Sequence, residues 1–108
     1  MAYYMVQAAY TAEAIAGMVK KPEDRAAAIA PGVEKLGGTL DGLWFCFGDY
    51  DVVGIAQMPD NVSAAAFAFA VSQSGKLRSV KTTPLMTTAE AMKAMKKAGG
   101  AGYRAPGG

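Results

Sequence analysis

Asp49, Tyr50 and Asp51 form the one compact polar cluster in this 108-residue sequence whose side chains can do chemistry. They sit between two apolar runs, Leu43 to Phe47 and Val52 to Met58. An aspartate such as Asp51 beside an apolar cavity can act as an acid, a base or a ligand anchor. The plainer role is structural, with Asp49 serving a turn and Asp51 accepting backbone N–H bonds, and this is the favoured one. Tyr3, Tyr4 and Tyr10 can offer hydroxyls to a pocket, although tyrosines on a central strand are more often core residues with a satisfied tip. Trp44 can floor a ligand cavity or fill an interface between copies, with the interface preferred. The candidate ligand-binding residues are therefore Tyr4, Trp44 and Asp51, beside the turn motif Gly48, Asp49, Tyr50 and Asp51.

Other reactive side chains stand without partners. Cys46 lies between aromatic residues and is expected to be a small buried hydrophobe rather than a redox thiol. Met92 and Met95 have a spacing that suits a soft metal, but no histidine or second cysteine exists to complete such a site. They are expected to point inward as core filler. The absence of histidine excludes His-ligated haem, most zinc sites and serine or cysteine triads. No cofactor, metal or catalytic constellation is expected. Arg78 and Lys81 can meet an anion, yet protection of a sheet edge is the simpler purpose.

The elements that must position these residues follow from patterning. Residues 3–10 read as a strand, and Thr11 can cap a helix with the apolar stripe Ile15, Met18 and Val19. Pro22 suits the first position of a second helix, where Ile29, Val33 and Leu36 continue a stripe. Pro31 should kink or break it, and Gly37-Gly38 should stop it. The two apolar runs then form a hairpin across Gly48-Asp49. In it Leu43, Phe45 and Phe47 share one face and Trp44 and Cys46 the other. Asp60 is an N-cap for a helix reaching about Ser74 that is apolar nearly all round, which usually means burial on more than one side. Leu77 to Met86 is the most polar strand, and Pro84 assigns it to an edge. Thr87 and Glu90 make a capping box for a last short helix.

This order predicts an α+β fold: a ferredoxin-like βαββαβ sandwich with a C-terminal helix. Residues 1–98 form the expected domain and residues 99–108 a glycine-rich flexible tail. The hairpin is apolar on both faces, and helices cover only one. Two copies are expected to press their bare sheet faces together as a dimeric α/β barrel, with Trp44, Phe67 and Phe69 at the dimer interface or at a further assembly contact through the Ala-rich helix. Residues 1–75 carry a net charge of −4 and residues 76–108 a net of +6. A solvated basic edge accounts for this polarity more simply than nucleic acid, since aromatics are not interleaved with the basic residues. No apolar stretch is long enough to span a bilayer, and the first residues lack the basic and apolar regions of a secretory leader. A single cysteine fits a reducing cytoplasm. Nucleic acid and membrane are not expected partners; a second copy and a small molecule are.

The string Phe47-Gly-Asp-Tyr-Asp-Val-Val53, preceded by Leu36-Gly-Gly and followed by Met58-Pro-Asp60, resembles the GYD-domain family of small bacterial and archaeal proteins. The resemblance runs from the first strand to about Glu90 and includes the Ala-rich helix, Ser74-Gly75 and the Arg78-to-Leu85 strand. It implies a dimeric α/β barrel and leaves the biochemical role undefined. The glycine-rich tail departs from the family's ending. A similar Gly-x-x-Asp hairpin occurs in the ligand-sensing domains of feast/famine regulators, a likeness of fold. The expected function is a cytoplasmic, non-catalytic homo-oligomeric module for small-molecule binding or assembly. The alternative is a cofactor-independent monooxygenase-like enzyme, with a small aromatic or oxygenated substrate held between sheet and helices.

Overall fold

In a computed structural model, residues 1–107 are described; Gly108, the end of the expected flexible tail, lies outside the described residues. The elements are β1 (Ala2–Tyr10), α1 (Ala12–Lys20), α2 (Arg25–Lys35), β2 (Thr39–Phe45), β3 (Val52–Met58), α3 (Asn61–Ser72), β4 (Leu77–Leu85) and α4 (Thr88–Gly99). The strands form one antiparallel sheet in the order β2-β3-β1-β4. β1 is central, and β4 with its Pro84 is an edge, where a missing N–H is tolerated.

Local chemistry sets the helix ends. The Thr11 side chain accepts the N–H of Ala14 at 3.1 Å, and Asp60 accepts that of Ser63 at 2.7 Å. Asp24 accepts from both Ala26 and Ala27, so α2 begins at Arg25 rather than at Pro22. Pro31 does not break this helix. Its missing donor frees the Ala27 carbonyl, and both residues are exposed, so water can take the freed group. At the other end Gly37 adopts φ +86°, and the N–H groups of Gly37 and Gly38 return to Glu34 and Val33. That is a Schellman motif. Gly38 must lack a side chain, because a Cβ there would strike the Gln57 carbonyl and the Met58 sulfur.

The pleat sorts the strands into two faces. Cross-strand rows Phe45–Val52–Ala8–Val80, Leu43–Gly54–Val6–Thr82 and Leu40–Ala56–Tyr4–Pro84 lie on the helix-covered face. α2 packs on β2, and α3 on β3 and β4. Rows Trp44–Val53–Gln7–Lys81, Gly42–Ile55–Met5–Thr83 and Thr39–Gln57–Tyr3–Leu85 lie on the opposite face, which no helix covers.

Several expectations change. β2 ends at Phe45, so Phe47 leaves the strand and is 98% exposed. Residues 46–51 form a loop in place of a two-residue turn, because the Cys46 N–H closes it on the Asp51 carbonyl at 2.8 Å. Cys46 is consequently exposed rather than buried, and its thiol donates to the Tyr50 carbonyl at 3.3 Å. Met92 and Met95 are not core filler: α4 has no buried residue, and they are exposed. α3 buries only Ala64 and leaves Val62 and Phe69 in solvent. The stripe of α1 is likewise only partly covered, with Val19 exposed.

Candidate functional site

Between α2 and α3, the sheet floors a cavity of about 260 Å³. Val6, Leu43 and Gly54 from the middle row form its base, while Ile29 and Val33 from α2 and Phe67 and Val71 from α3 form its sides. Gly54 keeps the base low: a Cβ there would come within 3.0 Å of Leu43. A second hollow, bounded by Ile15, Met18, Val19, Pro22, Glu23 and Phe45, is more open to solvent.

The cavity between α2 and α3 is polarised along its length. At one end, Val33, Ala56 and Phe67 belong to the apolar cluster that also holds Tyr4 and Met58. At the other end, β1 finishes, α2 begins and β4 starts, and Tyr10, Arg25, Ser74 and Lys76 gather there. The Lys76 carbonyl accepts the Thr11 N–H at 2.9 Å, tying that corner together.

Arg25 donates from Nη1 to Glu23 Oε1 at 2.6 Å. Its Nε is buried and has no acceptor among the described residues. Burial works against the guanidinium charge, but hydrogen bonds with Glu23 and Tyr10 outweigh it and raise the already high pKa. Lys76 Nζ meets Glu13 Oε1 at 2.5 Å, and this contact lowers the Glu13 pKa. Both pairs sit at the surface, where ion pairs hold weakly.

The expected ligand residues are not brought together. Tyr4 is buried on the helix-covered face, where its hydroxyl donates to Asn61 Oδ1 at 2.6 Å. Trp44 lies on the opposite face and is 58% exposed, its ring folded back over Gly42. Asp51 laces the loop to β1: its N–H donates to the Ala8 carbonyl at 2.9 Å, and its Oδ2 accepts the Tyr10 N–H at 2.8 Å. Of the turn motif, Gly48 takes φ +127° in that loop. Phe67 and Phe69 also diverge, since residues two apart on a helix point in nearly opposite directions. Phe67 packs on the core and Phe69 faces solvent. Patterning alone does not single out Arg25, although Arg25, Ile29 and Val33 recur every four residues along one helical stripe.

The βαββαβ order and the single four-stranded sheet with helices on one face define a ferredoxin-like α+β domain. A model of the GYD domain matches residues 4–95, and the chain belongs to that family. No curated protein matches it. Solved structures share the fold. MtbAldR aligns with a TM-score of 0.57 at 10% identity, over 80% of this chain and 53% of that one, so this chain spans about half its length. FFRP-DM1 aligns at 0.51 and 11% identity, over 80% of this chain and 100% of that one. TTHA0845 from Thermus thermophilus aligns at 0.52 and 14%, over 81% and 95% of the two chains. At these identities the likeness is one of fold. Among the described residues, no helix is long and apolar enough to cross a membrane.

Proposed function

We propose that this protein is a self-assembling, small-molecule-binding module. Two copies lay their helix-free sheet faces together, and each keeps a ligand cavity between its sheet and helices. The observation that carries this reading is surplus surface. The chain exposes 7504 Å², whereas a compact monomer of its mass exposes about 5,700 Å². The difference exceeds the roughly 800 Å² per partner that a standard interface buries. The uncovered face supplies a fitting patch, with Met5, Val53 and Ile55 half-buried at its centre and Trp44 exposed beside them. Apolar patches of that kind mark contact surfaces. Phe69 and Val62, on the outer side of α3, offer a further contact for stacking dimers. Binding is favoured over catalysis because Tyr4, Trp44 and Asp51, the residues an enzyme would use, lie on different faces and in separate hydrogen bonds.

Trp44 is the only tryptophan, so its fluorescence reports on this face alone. Sedimentation velocity of the wild type should give a dimer, and Trp44 emission should shift to the red once dilution below the micromolar range separates the copies. Trp44→Asp should weaken association at least about tenfold, the result of setting a carboxylate in an apolar contact. Equal association of the variant and the wild type would contradict an interface on this face.

A further inference from the structure

The cavity's two ends differ in kind, and that difference specifies what it takes. We infer that it binds a small monocarboxylate with an apolar body, its tail toward Val33 and Phe67 and its carboxylate at Arg25. The inference rests on the cavity being a ligand site, and it adds the ligand's chemical class. An apolar cavity of 150 Å³ holds benzene; by the same scale about 260 Å³ accepts roughly ten non-hydrogen atoms. Almost all of the lining is aliphatic or aromatic, so the body of the ligand must be apolar.

The head group is set by Arg25 and Lys76, two cations at one end with Tyr10 and Ser74 between the strand and helix termini. No acidic side chain lines the cavity. Glu23 and Glu13 meet the two cations from the surface, each through one nitrogen. The Arg25 guanidinium carries more N–H donors than Glu23 and Tyr10 together engage, so it keeps one for a ligand. A carboxylate oxygen set against the cavity-lining guanidinium would form a charge-assisted bond. The Ser74 hydroxyl is already donating to the Val71 carbonyl at 2.7 Å, so it adds no competing demand for an acceptor.

Three probes of matched length separate the possibilities: octanoate, octanol and octylammonium, each titrated into the full-length protein. Binding is read by calorimetry and by amide chemical shifts of Val6, Gly54 and Val71. Octanoate should bind, octanol about tenfold or more weakly, and octylammonium more weakly still. Arg25→Met should weaken octanoate by at least about tenfold while leaving octanol unchanged, which also demonstrates that the variant is folded. Gly54→Val, which fills the base, should abolish binding of octanoate and octanol alike. If octanol or octylammonium binds as well as octanoate, the assignment of a carboxylate is overturned while the cavity stands as a ligand site. If no probe shifts the lining residues, the ligand-site reading itself falls.

Discussion

Asp51 joins three backbone segments, taking the Tyr10 N–H on its carboxylate, giving its own N–H to Ala8 and closing the loop on Cys46. An aspartate so engaged acts as a fastener between the hairpin and the central strand. Asp51→Ala should cost about 1–3 kcal/mol of stability, because Tyr10 would keep a half-buried N–H without its acceptor. Chemical denaturation checks the loss, and octanoate affinity should hardly move, since Asp51 does not line the cavity. A variant as stable as the wild type would refute the fastening role. The tendency of Asx side chains to bond local backbone makes this role legible from residue type and position alone. Cys46 defies the same kind of reading: its aromatic neighbours suggest burial, but the loop begins at its own N–H. Arg25 is hidden because a lone base at a helix start reads as surface until the stripe it heads is seen to face inward.

Among the elements, caps are the most readable feature and depth the least. Thr11, Asp60 and the Thr87–Glu90 box each carry a short-range signal, and each caps as expected. The box governs α4, which buries none of its residues and so relies on its own ends. The hydrogen bond from the Thr87 backbone holds the Glu90 carboxyl below its ordinary pKa of 4.5. A depressed folded-state pKa means that the cap stabilises the helix above 4.5, and that this contribution fades as pH falls through the lower folded value. Backbone chemical shifts of residues 88–92 should therefore lose helical character on acidification. Glu90→Gln should flatten that dependence, and an unchanged profile in the variant would contradict the assignment. Depth fails where tertiary packing decides. Met92 and Met95 have core composition yet face solvent, and the cavity draws on α2, α3 and all four strands, which no local pattern links.

At the level of the whole molecule, the radius of gyration is 17.4 Å and the long dimension 58 Å. A compact domain of this length has a radius near 13 Å. α4, a basic amphipathic helix, has no buried residue. The fold itself is legible because element order and the two-faced hairpin leave few topologies. What lies beyond the sequence is the measure of how much surface remains uncovered. Sedimentation equilibrium of the wild type at micromolar concentration tests this most directly. The expected species has twice the 11.2 kDa chain mass and is stable to dilution in that range. A folded species of a single chain mass throughout would contradict it.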